Sequence, residues 1–181
     1  MGRTSRIRLY HGSDVAIARP EVSLNTGFSD LGQGFYLTND HETACRRART
    51  RSRKTGNGSG VVSVFELDES CVPWVYAGKD ASTDVPFGLR FDQSQAGIVA
   101  WIDYIKACRT GQTGWGTVGE PSIVRCWIAT EEVELACSGL ISPTELAEFV
   151  APDDLIVQYC LRDQAIIDEH LTFVAAESLG Q

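Results

Sequence analysis

The chain has 181 residues, of which 43% are hydrophobic and 9% aromatic, and it carries a formal net charge of −8. That length suffices for a single domain over residues 1–181 with a core of its own. The acidic balance argues against wholesale nucleic-acid binding, and no apolar run approaches the roughly 18 residues of a membrane span.

The N-terminal MGRTSRIR is basic but has no apolar stretch behind it, so no signal peptide and a cytoplasmic location are expected. The six cysteines (Cys45, Cys71, Cys108, Cys126, Cys137 and Cys160) form no CxxC pair and have no histidine at ligand spacing. Reduced, buried thiols and no metal are the expectation.

In chain order, RIRLY (6–10) alternates, with Ile7 and Leu9 opposite Arg6, Arg8 and Tyr10, and predicts a half-buried strand that breaks at His11-Gly12-Ser13. Turn residues Ser29 to Gln33 lead into GFYLT (34–38), a second short strand. Asn39 reads as a helix N-cap with Glu42 three residues on, opening a helix from about 40 to 54. GNGSG (56–60) is a turn, and VVSVFEL (61–67) is a strand by its β-branched content. Residues 70–95 read as irregular. Ile98, Trp101, Ile102, Ile105 and Cys108 make one stripe of a helix over 95–109. GQTGWGTVGEP (111–121) reads as a mobile loop and SIVRCWIA (122–129) as a strand. Ser142-Pro143-Thr144-Glu145 opens a short helix with its own capping box. LIVQYCL (155–161) and HLTFVAA (170–176) close the list as strands. With strands outnumbering helices and no βαβ alternation, an α+β fold with mainly antiparallel sheet is expected.

Three segments recur in an order that resembles the ADP-ribosyltransferase superfamily, on its diphtheria-toxin and poly(ADP-ribose) polymerase side. They are Leu9-Tyr10-His11-Gly12-Ser13 at a strand end, Gly32-Gln33-Gly34-Phe35-Tyr36-Leu37-Thr38 entering a helix, and Gln158 on a late strand. The chain is more similar still to a little-characterised bacterial family with the same Leu-Tyr-His-Gly-Ser and Gly-Phe-Tyr-Leu-Thr runs. That family has a tryptophan-to-arginine helix, here Trp101 to Arg109, and a terminal strand with Gln in place of Glu. Leu31 stands where that family has Phe, and Tyr104-Ile105 where it has Phe-Ile.

The resemblance implies two small, mainly antiparallel sheets flanked by helices around an NAD cleft, with NAD as substrate and no metal. It implies a mono-ADP-ribosyltransferase, toxin-like in kind, passing ADP-ribose to an unidentified macromolecular or small-molecule acceptor. Transfer from NAD breaks the nicotinamide–ribose bond through an oxocarbenium-like transition state, which the site must orient and stabilise. By the resemblance, His11 bonds a ribose hydroxyl and Gly12 pairs its backbone with the carboxamide, the missing Cβ allowing the approach. Tyr36 stacks on the nicotinamide. Ser13 supports the ribose or the turn, the Gly32 and Gly34 pair shapes the entry to the Tyr36 segment, and Gly34 and Phe35 count with the NAD-binding residues.

Gln158 takes the place of a catalytic Glu; it keeps an acceptor oxygen but lacks the charge. Asp153, Asp154 and Glu66 are the other carboxylates considered for that field. Arg46-Arg47-Ala48 stands where relatives place an aromatic over the nicotinamide. Two rival readings share the site: an NAD glycohydrolase, and a non-catalytic module binding NAD or ADP-ribose.

Taken singly, these residues are unremarkable. His11 suits a turn or core, Tyr36 a packed strand, and Gln158 a hydrogen-bonded interior; only their order points to a site. The stretch 46–54 holds six of the sixteen Lys and Arg, leaving the remainder near −14. Arg46, Arg49 and Arg53 share one helical face and Arg47, Arg51 and Lys54 another. A solvated helix is the plain reading; contact with a pyrophosphate or an acidic target is the other. Arg109 suits a helix C-terminus. Trp74, Trp115 and Trp127 read as core or loop anchors, and His41 and His170 show no partner. No phosphate-binding Gly-Lys-Ser/Thr loop and no GxSxG is present.

Overall fold

The computed structural model describes residues 6–22, 29–77, 87–112, 120–150 and 155–180. They fall into two compact units. The first comprises Met1–Glu21, Tyr36–Cys71 and Gln164–Gln181; the second comprises Val22–Phe35 and Val72–Asp163. Five helices and eight strands among the described residues make an α+β protein.

In the first unit β1 (Arg6–Ser13) is flanked by β2 (Phe35–Thr38) and β3 (Val61–Asp68), and β8 (Leu171–Ser178) pairs with β3, all antiparallel. The alternation of RIRLY is realised, with Leu9 fully buried and Arg6 and Arg8 exposed. β1 does not break at His11, however. It stays in register with β3 through His11↔Ser63, Gly12↔Val62 and Ser13↔Val61. Val61 and Val62 supply β-branched partners for those last residues, and long-range pairing overrides the local Gly-Ser turn signal.

Helix α1 (His41–Thr55) packs on this sheet through Ala44, Cys45 and Ala48 against Val62, with Tyr10 alongside. Its N-cap is Asp40 rather than Asn39, because the Asp40 carboxylate accepts from the Thr43 N–H at 2.7 Å. Gly56 ends it in the left-handed region at φ 75°. The crossing of α1 over β1 is close. A Cβ on Gly12 would overlap the Ala44 carbonyl oxygen and lie 2.8 Å from the Ala48 nitrogen. One on Gly60 would lie 2.6 Å from the Ala48 carbonyl carbon.

In the second unit β4 (Trp74–Tyr76), β5 (Gly88–Arg90) and β6 (Ile123–Trp127) are parallel, and β7 (Val157–Leu161) runs antiparallel to β6. The expectations of irregular structure over 70–95 and of no βαβ unit are thereby corrected. β5, α2 (Gln95–Arg109) and β6 form a parallel strand–helix–strand crossover. Three-residue strands are too short to show alternation, and parallel pairing leaves no local mark. The expectation of two small, mainly antiparallel sheets is corrected as well, since β4, β5 and β6 of the second unit run parallel and only β7 is antiparallel there.

The α2 stripe is as expected: Ile98, Trp101, Ile102, Ile105 and Cys108 are all buried. Trp101 meets Trp127 edge to face at 5.2 Å. α3 (Glu131–Cys137) and α4 (Pro143–Phe149) follow, the latter with both capping-box bonds between Ser142 and Glu145. α5 (Gln164–His170) lies in the first unit. All six cysteines are free thiols, four of them buried. No helix among the described residues is long and apolar enough to cross a membrane. Most of the loop 111–121, with Trp115, lies outside the described residues.

The close crossing predicts a contrast between two glycine substitutions. Gly12→Ala forces backbone against backbone and is expected to cost about 3 kcal/mol. Gly139, at φ 80° with open space around it, loses only about 1 kcal/mol on substitution by Ala, from left-handed strain alone. Urea unfolding of the two variants measures both.

Candidate functional site

Tyr10 and Thr38 are the described register pair between β1 and β2. Beside them a side chain joins the strands: His11 Nδ1 lies 2.7 Å from the Tyr36 carbonyl oxygen. A carbonyl only accepts, so Nδ1 carries the proton and donates it. In the neutral ring that places the lone pair on Nε2. Burial is the largest influence on this imidazole and pushes its pKa below the ordinary 6.5; the Tyr36 bond opposes it, and the guanidiniums of Arg47 and Arg51 reinforce it. The ring is therefore held neutral, in one tautomer, with part of its surface open. Such a group can accept a hydrogen bond from a hydroxyl.

The neighbours of His11 are held by the same crossing. The missing Cβ of Gly12 makes room for the backbone of α1. Ser13 is buried, and its hydroxyl donates to Asp14 at 3.1 Å. Asp14 also accepts from Asn57 at 2.8 Å and meets Arg51 at 3.7 Å. Its carboxyl is lowered, first by the Thr55 hydroxyl and with a smaller contribution from Arg51. Tyr36 is half-buried.

Gly34, Phe35 and Gln158 belong to the second unit. Leu31 to Gly34 are gripped by the end of β7. Arg162 donates through Nη2 to the Leu31 carbonyl, and the Cys160 thiol lies 3.9 and 3.8 Å from the carbonyls of Leu31 and Gln33. A Cβ on Gly34 would strike the Cys160 sulfur and lie 2.9 Å from the Leu161 carbonyl oxygen. Gly32, at φ 72°, closes the expected turn by donating to Ser29 O at 2.9 Å. Phe35 is in the core. Sequence reasoning missed the part played by Arg162, because a strand-end arginine carries no signal for a carbonyl partner 131 residues away.

Gln158 is only 2% exposed, and its amide nitrogen donates to the Trp127 carbonyl at 3.1 Å and contacts the Cys126 sulfur at 3.7 Å. Its donor end is committed to the interior of the second unit. Glu66 pairs with Arg8 across β1 and β3 at 3.5 Å; Asp153 and Asp154 lie outside the described residues.

Arg109 does more than sit at a helix end. It binds Asp30 at 2.6 and 3.0 Å and Glu134 at 2.6 and 2.7 Å, which raises its pKa, Glu134 most of all. His41, which showed no partner in the sequence, bonds Glu177 of β8 at 2.6 Å and stacks edgewise on Tyr10 at 5.0 Å. Among the described residues no group of three His, Cys, Asp or Glu is placed to hold a metal.

The neutral His11 sets a pH window. The unfolded chain takes up this proton near the ordinary 6.5, whereas the folded chain resists it to a lower pH. The contribution of this group to stability is therefore complete above about pH 6.5 and is lost as pH falls through the depressed folded value. An NMR titration should find the His11 resonances shifting below pH 6.5, and His11→Gln should flatten the stability profile in that window.

Neither the curated proteins nor the solved structures contain a match to this chain. A family model described as a protein of unknown function, DUF3990, matches residues 7–173. That span takes in all of β1 but Arg6, together with the gripped Leu31–Gly34 segment and Tyr36, and the chain belongs to the DUF3990 family.

Proposed function

We propose that the protein is an NAD-dependent mono-ADP-ribosyltransferase of ADP-ribosyltransferase-like fold, acting in the cytoplasm. The observation that carries this reading is the 2.7 Å bond from His11 Nδ1 to the Tyr36 carbonyl. It ties the two sequence segments of the resemblance at one point and leaves a neutral imidazole with an acceptor nitrogen. A ribose hydroxyl is a donor of matching chemistry. In the reaction the bond between the ribose C1′ and the nicotinamide nitrogen breaks, and its electron pair leaves with the ring, which becomes neutral. The acceptor forms the new bond to C1′ and gives up its proton. His11 orients the sugar, Gly12 offers backbone groups to the carboxamide, and Tyr36 presents its ring to the leaving nicotinamide. Ser13 supports the strand end that carries them.

Gln158 favours a second reading, a module that binds NAD without turnover. Its side chain is neutral and its amide donates inward to Trp127. With no fixed carboxylate at that point, the developing cation loses a charge-assisted partner.

Two measurements separate these readings. Incubated with NAD, the protein should release nicotinamide, and His11→Ala should slow release roughly 5- to 150-fold, the worth of about 1–3 kcal/mol of hydrogen bonding. ADP-ribose found free rather than on an acceptor identifies a glycohydrolase; absence of both release and calorimetric NAD binding removes the proposal. Gln158→Glu turns a carboxylate toward the Trp127 carbonyl. Burial raises its pKa, so the variant should match the parent in stability near pH 4 and fall behind as pH rises above about 4.3. Faster nicotinamide release in that variant means the neutral side chain limits the rate.

A further inference from the structure

One row of side chains crosses the four strands of the second unit. Register places Tyr76 of β4 beside Arg90 of β5, Arg90 beside Arg125 of β6, and Arg125 opposite Tyr159 of β7. Neighbouring strands are about 4.8 Å apart, so two guanidinium stems leave the same face side by side. Like charges in adjacent register repel. Among the described residues neither arginine meets a carboxylate within 4.0 Å.

Both side chains are nevertheless held in place. The Arg90 guanidinium lies 4.3 Å from the Tyr76 ring centroid. The Arg125 Nε donates to the Tyr159 hydroxyl at 2.9 Å. Trp74 completes the wall: it meets Tyr159 edge to face at 6.5 Å and lies across Gly88, where a Cβ would come within 2.5 Å of the indole. The Arg90 Nε is buried with no hydrogen-bond partner among the described residues. For Arg125 the one hydrogen bond among the described residues is that of its Nε. Two cationic side chains thus leave one face in neighbouring register, each steadied by a tyrosine and with donors that no described residue takes up.

We propose that Arg90 and Arg125 form a binding site for a phosphate dianion, either inorganic phosphate or the terminal group of a phosphomonoester. Two negative charges match two guanidiniums, and several oxygens accept from both forks at once. A carboxylate carries one charge and is saturated by a single fork. Aromatic walls keep both planes in place before the anion arrives, which lowers the ordering cost of binding. The site stands on β4 to β7 alone and holds whether or not NAD is a substrate.

The test is calorimetric titration with inorganic phosphate and, separately, with AMP, at constant ionic strength against sodium chloride. One anion per chain is expected, and AMP binding should weaken as pH drops below about 6, where the monoester dianion protonates. Arg90→Gln is expected to weaken phosphate binding at least tenfold yet to keep its thermal midpoint in chloride, because a like-charge neighbour has gone. Arg90→Lys, which keeps the charge and the stem but loses the fork, guards against a variant that fails to fold and is expected to bind more weakly than the parent. AMP binding tighter than phosphate, and sensitive to Arg90→Gln, identifies a monoester as the source; AMP no tighter identifies the free ion. Binding of neither ligand by the parent protein, or undiminished binding by both variants, overturns the proposal.

Discussion

Everything in the first unit follows from one close crossing. Helix α1 lies on β1 with backbone against backbone, because Gly12, Gly60, Ala44 and Ala48 remove the side chains that would hold them apart. This brings Arg47 and Arg51, one turn apart, near enough to His11 to act on its proton. It also brings α1 to the end of β2, so that Asp40 caps the helix two residues after Thr38 and donates its N–H to the Thr38 hydroxyl at 3.2 Å. His11 is then caught between a helix that brings positive charge and a strand that offers a carbonyl. The burial that depresses its pKa and the bond that fixes its tautomer are two results of the same packing.

The second unit uses a different device on its own glycine. Gly34 admits β7 rather than a helix, and Cys160 and Arg162 on that strand hold the carbonyls of Leu31 and Gln33. The Gly-x-Gly spacing of residues 32–34 therefore has two separate physical explanations. Gly32 makes a left-handed turn at φ 72°, and Gly34 makes room for a neighbour. Gln158, two residues before Cys160, extends the same strand into the core, where its amide satisfies the Trp127 carbonyl. A glutamate there would lack the hydrogen that Trp127 receives unless it were protonated, which is a structural reason for the neutral residue independent of any catalytic history.

What was legible in the sequence was whatever is written locally. The α2 stripe from Ile98 to Cys108 repeats often enough to stand out, and the Ser142 box needs only four residues. β1 and β3 show through alternation and β-branching. β4 and β5 were invisible because three residues hold no period, and the seven-residue helices α3 and α5 give barely two turns of pattern. The cap of α1 was misplaced by one residue because Asn39 and Asp40 are both good caps, and only geometry shows which carboxyl or amide reaches Thr43. In the candidate site, the types and order of His11, Gly12, Tyr36 and Gln158 could be read, but not the groups they touch. The Tyr36 carbonyl, the Ala44 backbone and the Trp127 carbonyl are peptide atoms, and every residue has them.

Arginine placement separates the ordinary from the unexplained. Arg109 is surrounded by Asp30 and Glu134, the usual answer to a half-buried guanidinium. Arg162 meets no carboxylate among the described residues, but it has the Leu31 carbonyl and, 5.6 Å away, the face of Tyr104. Arg47, Arg53 and Lys54 on α1 are exposed, and water solvates them. Arg90 and Arg125 fit none of these cases. They are half-buried, adjacent, oriented by rings and a hydroxyl, and without a carboxylate among the described residues. A chain with 24 acidic residues against 16 basic ones has no shortage of counter-ions. Packing alone does not call for two cations in neighbouring register, since leucine or methionine would cover the same aromatic wall without repulsion. An anion shared between them is the simplest condition under which that arrangement becomes stable.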